Sequence, residues 1–344
     1  MKQIGLVAIG RNEGQRLRQC LVSATNKVAR VVYVDSGSTD GSLELARSLG
    51  ADTVELDLST PFTAARARNE GFARLLELAP DIEFVQFVDG DCELLNGWID
   101  LAQQELAAKP ELAVVCGRRR EKFPEATAYN RLCDMEWDTP VGEAKACGGD
   151  SMMRVSAFEQ VAGFNPALIA GEEPELCVRL RQNGWKIERL DAEMTLHDAQ
   201  MTRFDQWWKR SQRAGHAYAE GSWMHGNTPE RHWVKETRST WFWGLVLPVL
   251  ALGMAWLTHG WSLWLLVGYP VLTYRIYRGM QQRNFSAKDA ALYATYCTLS
   301  RFPQFQGQIQ FHQRRLLGQR SKLIEYKTSN PSIEQVTMSG KSTK

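Results

Sequence analysis

The feature that most constrains this chain is an alternation, over residues 4–88, of short strand-like runs with segments of helical spacing. Ile4–Ile9 (IGLVAI), Val28–Val34 (VARVVYV), Thr53–Leu56 and Phe84–Val88 have strand length, and most are apolar enough for burial on both faces. Between them, Leu17, Cys20, Leu21 and Ala24 recur at helical spacing. So do Leu43, Ala46 and Leu49, closed by Gly50, and the small-residue face Ala64, Ala67, Gly71 and Leu75. The alternation predicts an α/β fold: a mostly parallel, Rossmann-like sheet with right-handed crossovers and helices on both faces. Such sheets bind ligands beyond the carboxyl ends of their strands. Asn12-Glu13, Asp35 and the pair Asp89/Asp91 all fall at such ends.

The last of these ends carries the sharpest chemistry. A buried strand that runs into Asp89-Gly90-Asp91 sets two carboxylates where desolvation is costly unless a cation or strong donors meet them. Hard oxygen ligands at one point suit Mg²⁺ or Mn²⁺, with phosphate oxygens as further ligands. A polar turn after a strand would show the same three residues. Neither G-x-G-x-x-G nor G-x-x-x-x-G-K-[ST] occurs in the first half, which excludes a dinucleotide fingerprint and a P-loop.

Composition narrows the class. A net charge of +2 gives no global grip on nucleic acid. The seven cysteines form no C-x-x-C pair, which argues against a disulfide framework or zinc cage and for a reducing setting. Met1-Lys2 leads straight into a strand-like run, without a signal-peptide pattern. Ten of the twelve tryptophans lie between residues 185 and 264, so the second half meets a different environment from the first.

Several motifs, taken in order, resemble the nucleotide-sugar half of family 2 glycosyltransferases. They are Arg11-Asn12-Glu13, Val34-Asp35-Ser36-Gly37-Ser38-Thr39-Asp40-Gly41, Ala67-Arg68-Asn69-Glu70-Gly71 and Val88-Asp89-Gly90-Asp91. Downstream, Gly148-Gly149-Asp150-Ser151, Val161-Ala162-Gly163-Phe164-Asn165 and Gly171-Glu172-Glu173-Pro174-Glu175-Leu176 continue the resemblance, which covers roughly residues 3–215. It implies a GT-A fold. It also implies an inverting transfer from a nucleoside diphosphate sugar to an acceptor hydroxyl. By resemblance, Asn12, Glu13, Asp35, Arg68, Asn69, Asp89, Gly149 and Asp150 line the nucleotide-sugar pocket. Asp89 and Asp91 hold Mg²⁺ or Mn²⁺, with His197 as a third ligand. Glu173, with Glu172 second, is the general base. The base motif of the family is usually Glu-Asp, and two acids often follow its second strand. Here the residues are Glu172-Glu173 and Asp35-Ser36. Asp35 also fits an Asx-turn before Gly37, and Glu172, Glu173 and Glu175 also fit the acidic first turn of a helix. Arg210 and Arg213, in an aromatic segment over 204–221, could fork onto a diphosphate or belong to a basic helix on a membrane surface.

The remaining third reads as a membrane region. Trp241–Leu257 and Trp261–Tyr274 are uncharged, each about the minimum spanning length, and Trp stands near their ends. Basic residues flank the pair on both sides. The expectation is a helical hairpin over 241–274, kinked at Pro248 and Pro270, with both flanks cytoplasmic. Leu292, Tyr293, Tyr296, Leu299, Phe302, Phe305, Ile309 and Phe311, followed by Arg314, Arg315, Arg320 and Lys322, fit interfacial amphipathic helices. The expected organisation is a catalytic domain over 1–225, membrane-associated helices over 226–327 and a disordered tail over 328–344. The expected setting is the cytoplasmic face of a bacterial-type inner membrane, with a glycan or lipid-linked acceptor and no nucleic acid. The alternatives are a nucleotidyltransferase acting on a sugar phosphate and a non-catalytic membrane scaffold.

Overall fold

The computed structural model describes residues 4–319 and 323–325, so the 328–344 expectation lies outside the described residues. The first half alternates as expected: β1 (Ile4–Gly10), α1 (Gln15–Ala24), β2 (Arg30–Asp35), α2 (Ser42–Ser48), β3 (Asp52–Glu55), α3 (Ala64–Leu78) and β4 (Phe84–Asp89). Then come β5 (Cys92–Leu94), α4 (Trp98–Ala108), β6 (Leu112–Glu121), α5 (Ala128–Glu136), β7 (Gly142–Glu143), β8 (Ser151–Arg154), α6 (Val155–Gln160), α7 (Glu172–Gln182) and β9 (Lys186–His197).

One sheet of order β3-β2-β1-β4-β8-β6-β9-β5, with β7 on β9, runs through the molecule. The four strands β3, β2, β1 and β4 are parallel, as the alternation predicts. Beyond them the expectation of a mostly parallel sheet needs correction. β8 enters between β4 and β6 antiparallel to both, and β5 and β7 lie antiparallel to β9. The sheet is therefore mixed, because β8 reaches the centre of the sheet from a loop rather than from a crossover helix. Alternate residues of β1 serve two cores. Ile4, Leu6 and Ala8 pack with Leu17, Cys20 and Leu21 of α1 and with Trp98 and Ile99 of α4. Val7 and Ile9 pack with Ala67 and Leu75 of α3 and with Leu176 of α7. That period of two, apolar on both faces, is why β1 and β4 read as continuous apolar runs.

The chain continues in α8 (Phe204–His225) and α9 (Val234–Trp241), then a π-helical stretch (Phe242–Val246) leading into α10 (Leu247–Gly253). After a turn, a 3₁₀ stretch (Trp261–Val267) leads into α11 (Gly268–Gln282), followed by α12 (Ala287–Leu299) and α13 (Arg301–Leu316). The expected hairpin forms, but no helix among the described residues is long and apolar enough to cross a membrane. Pro248 explains part of this. It lacks an N–H and its ring crowds the carbonyl four residues back, so the helix slips to the wider register just before it, where Leu247 N–H bonds to the Phe242 carbonyl. Pro270 sits in the first turn of α11, where proline is tolerated, and not at a mid-helix kink.

α8 and α13 lie in backbone contact. A Cβ on Gly215 would stand 2.0 Å from the Gln304 carbonyl, and one on Gly307 would stand 2.0 Å from the Gln212 carbonyl. A third core, made by Leu132, Cys133 and Met135 of α5 with Met201, Trp207, Met280 and Ala290, ties these helices to the sheet.

Candidate active site

Beyond the carboxyl ends of β1 and β4 lies a cavity of about 780 Å³, walled by the sheet on one side and by α8, α12 and α13 on the other. Of the residues singled out from sequence, Glu13, Arg68, Asp89, Asp91, Gly149, Glu172, Arg210 and Arg213 line it. Asn12, Asp35, Asn69, Asp150, Glu173 and His197 are not among its lining residues.

The centre is an ion-pair lattice on the sheet edge. Arg68, buried on α3, sends one guanidinium nitrogen to Asp89 Oδ1 (2.7 Å) and the other to Glu172 Oε1 (2.8 Å). Burial works against its charge, but Asp89 and then Glu172 outweigh burial and raise its pKa. Gly149 lies against this pair. A Cβ there would come within 2.7 Å of the Arg68 guanidinium and 3.1 Å of Asp89, so a larger residue would have to displace this ion pair. Gly90 has a similar reason. Its backbone N–H bonds to the Ile9 carbonyl at 2.8 Å, and a Cβ would press on that carbonyl at 3.1 Å. Close approach to β1, rather than a left-handed bend, sets glycine between the two aspartates.

Arg119, on β6, is missed by the sequence reading; it stands behind the cavity lining and braces the Asp89 end of the lattice. It reaches Asp150 (2.7 Å) and Asp89 Oδ2 (3.1 Å) and lies 5.3 Å over the Trp137 ring. The available signal was an apolar run, Leu112–Cys116, ending in three consecutive arginines, as β4 ends in acids. Asp150, expected in the pocket, is instead fully buried behind it. It accepts from Arg119, Thr195 Oγ1 (2.9 Å) and the Asp89 backbone N–H (3.0 Å), and so fixes where β4 ends.

Three other residues expected in the pocket are engaged elsewhere. Asp35 accepts from the Gly37 and Ser38 N–H groups (2.9 and 2.8 Å) and from the Tyr33 hydroxyl (3.1 Å), which is the Asx-turn arrangement. Asn12 accepts from Thr39 N–H (2.7 Å), and its own N–H bonds to Ser38 Oγ (2.9 Å), joining the loops after β1 and β2. Asn69 bonds both backbone groups of Phe164 and holds that loop in place.

The two candidate bases separate cleanly. Glu173 is buried on the far side of the first turn of α7. Its oxygens accept from Cys147 N–H (2.8 Å) and Gly148 N–H (2.9 Å), and the Cys177 thiol lies at 2.9 Å. Burial pushes its pKa up, while these donors oppose the rise. Glu173 is not among the residues that line the cavity, whereas Glu172 is. Successive helical residues point about 100° apart, so one of two neighbours turns inward.

Asp91 is buried at the cavity floor, with His197 Nε2 at 3.2 Å from its Oδ2. Asp91, Cys92 and His197 offer ligand atoms within 4.8 Å of one another. An aspartate oxygen and an imidazole nitrogen fit a hard or borderline divalent ion, whereas sulfur does not. Cys92 is also held as a neutral thiol, since burial and then Asp150 push its pKa well up. The fit is therefore to Asp91 and His197. Asp89 faces two guanidinium groups and is the weaker ligand.

The opposite wall carries Trp207, Arg210 and Arg213 from α8, Tyr293 and Tyr296 from α12, and Arg301 from α13. Arg210 pairs with Glu136. Tyr293 and Tyr296, expected to face lipid, instead face this cavity, because α12 packs its aromatic side on α5 and α8: Tyr296 meets Tyr129 at 5.8 Å and Trp207 at 4.9 Å.

The sequence pattern of glycosyl transferase family 2 matches residues 7–161, and that described as N-terminal domain of galactosyltransferase matches 133–204. A TPR repeat-containing protein of Synechococcus elongatus is 31% identical over 133 residues, covering 38% of this chain and 31% of that protein. The succinoglycan biosynthesis protein ExoA of Rhizobium meliloti is 28% identical over 180 residues, covering 49% of this chain and 54% of that protein. The chain thus spans about a third to a half of these relatives. Among solved structures, the mannosyltransferase PcManGT of Pyrobaculum calidifontis, in complex with GDP-Man and Mn²⁺, superposes with a TM-score of 0.59 at 16% identity, over 88% of this chain and 87% of that one. Residues 1–349 of S. aureus TarS give a TM-score of 0.51 at 15% identity, over 86% and 90%. At these identities the likeness shows the fold, which is GT-A-like.

Proposed function

Since the chain belongs, through residues 7–161, to glycosyl transferase family 2, we propose that it transfers a sugar from a nucleoside diphosphate sugar to an acceptor hydroxyl, with inversion and with a divalent ion. The observation that carries this reading is Glu172 and Asp91 lining one cavity, with Arg68 tying Glu172 to the end of β4. Asp91, backed by His197, would hold Mn²⁺ or Mg²⁺, with Asp89 beside it. The ion, when bound, supplies charge that stabilises the departing diphosphate. Glu172 takes the proton from the acceptor hydroxyl as its oxygen attacks the anomeric carbon from the side opposite the diphosphate. Arg68 keeps this carboxylate at a fixed offset from Asp89, so base and leaving group stay registered. A complex of Mn²⁺ and GDP-Man in a neighbour of the same fold supports the donor class.

We also propose that the hairpin of α10 and α11 lies in a membrane surface on the same side as the catalytic half, which would be the cytoplasmic side. Trp256 is 90% exposed and Trp261 75%, with Leu257 and Trp264 beside them. Arg275 and Arg278 are exposed on α11, matching an apolar wedge with a basic rim for anionic headgroups. A glycan or lipid-linked acceptor follows from that location.

The experiment is a thermal-shift screen of nucleotide sugars with Mn²⁺, followed by transfer assays of E172Q and E173Q. E172Q should keep metal-dependent donor binding and lose transfer by about 10²-fold or more. E173Q should retain transfer, its cost falling on stability. A folded E173Q that loses transfer while E172Q retains it overturns the assignment of the base.

A further inference from the structure

We infer that the half of the cavity built by α8, α12 and α13 is a subsite for the phosphate ester of a lipid, anchored by Arg301. This deepens the acceptor half of the function proposed above and rests on it. Arg301 stands in the first turn of α13 and lines the cavity. Among the described residues it makes no salt bridge. Its Nε is buried without a hydrogen-bond partner, one terminal nitrogen reaches Gln304 Oε1 only at 3.4 Å, and the side chain otherwise meets the thiol of Cys297. A guanidinium with a buried N–H left open, facing a cavity, is completed by an anion that accepts two parallel hydrogen bonds, as a phosphate does. Arg210, by contrast, already has Glu136.

The surroundings select the rest of the ligand. Trp207, Tyr218 and Tyr296 line the same cavity and make its wall aromatic, a surface suited to an apolar stem or a sugar ring. The residues that follow Arg301 on α13 lead to the hairpin: Phe302 packs on Tyr269 (5.8 Å) and Phe305 on Trp241 (5.0 Å). The Arg301 backbone carbonyl lies 2.8 Å from where a Cβ on Gly244 would be, so the anchor sits directly against the base of the exposed apolar surface. A charged anchor next to an apolar face fits an amphiphile whose phosphate is joined to a lipid chain. Its glycosyl end would then extend along the cavity toward Glu172.

The test uses the full chain in detergent at one fixed concentration, with farnesyl phosphate as probe and farnesol and methyl phosphate as its two halves. Intrinsic fluorescence reads binding, because Trp207 and Trp233 line the cavity. Farnesyl phosphate should bind saturably, with each half at least about tenfold weaker, and R301A and R301Q should weaken it about tenfold or more, with R301K intermediate. Mn²⁺-dependent nucleotide-sugar binding, measured on the same preparations, should survive in R301A. Its loss from the wild-type protein would indict the donor site instead. Equal binding by wild type and R301A overturns the proposal, as does farnesol matching farnesyl phosphate. Methyl phosphate matching it would reduce the subsite to a free-phosphate site and sink the lipid part. If R301A does not fold, R301Q and the thermal protection of wild type by farnesyl phosphate over farnesol still decide the outcome.

Discussion

Single residues decide the site. Glu172 and Glu173 are identical in type and adjacent in sequence, yet one faces the cavity and the other caps the 147–148 backbone. A buried pair on α8 offers a test of a different kind. Burial pushes Glu220 up to about 7 and lowers His216 to about 4, and Glu220 Oε2 stands 3.5 Å from His216 Nδ1. Glu220, raised above its unfolded value, contributes stability that is full below about 4.5 and lost as pH rises through about 7. His216, lowered, does the reverse: its contribution is present above about 6.5 and lost as pH falls through about 4. The two slopes oppose each other between about 4.5 and 6.5. E220Q should therefore gain stability relative to wild type as pH climbs from 4.5 to 7, by on the order of 2 kcal/mol, read from urea melts across that range. A difference that stays flat with pH would show that Glu220 ionises normally in the fold. At this scale the sequence showed residue types better than orientations. Asp89, Asp91 and Arg68 stood out because a strand end and a helix start bring them to one edge of the sheet. Asp35, Asn69 and Asp150 carry the same motifs but turn into loops and core, a matter of side-chain direction that spacing does not encode.

Among elements, the parallel half of the sheet was readable from periodicity, since β1, β2 and β4 are largely buried on both faces and mostly apolar, with Gln86 the one polar side chain inside the runs and the acids Asp35 and Asp89 only at their ends. β8 was not, because Ser151–Arg154 is four residues long and its antiparallel seat between β4 and β6 is set by partners distant in sequence. α12 misled for a related reason. Its aromatic stripe fits a lipid surface and a protein cavity equally well, and only the position of α5 and α8 decides. The close contact of α8 and α13 is the element-level feature most open to experiment. A methyl group on Gly307 would collide with the Gln212 carbonyl and the His216 N–H, both backbone atoms that have no rotamer to yield. G307A should cost at least about 2 kcal/mol in chemical denaturation, because the helices must separate. A loss below about 0.5 kcal/mol, typical of a surface change, would mean the helices are not packed as described.

For the whole molecule, the apolar surface is concentrated on the hairpin. Replacing Trp256, Trp261 and Trp264 together by Glu should cut co-flotation with anionic vesicles at least about tenfold while leaving the melting temperature within a few degrees, since these side chains are exposed. Undiminished flotation, or no flotation of the wild-type protein, would overturn the membrane contact proposed for the hairpin. The expected spanning pair shows how far hydropathy carries. The two stretches are uncharged, but the π-helical slip before Pro248 and the 3₁₀ start of the second arm break them into short helices.

Where two backbones touch with nothing between them, neither can slide. The reciprocal seats of Gly215 and Gly307 make α8 and α13 one beam, so Arg213 and Arg301 travel together or not at all. Any widening of the cavity to admit a bulky guest should then come from the sheet-side loops, from α12, or from the beam swinging whole, with the spacing between its two arginines unchanged.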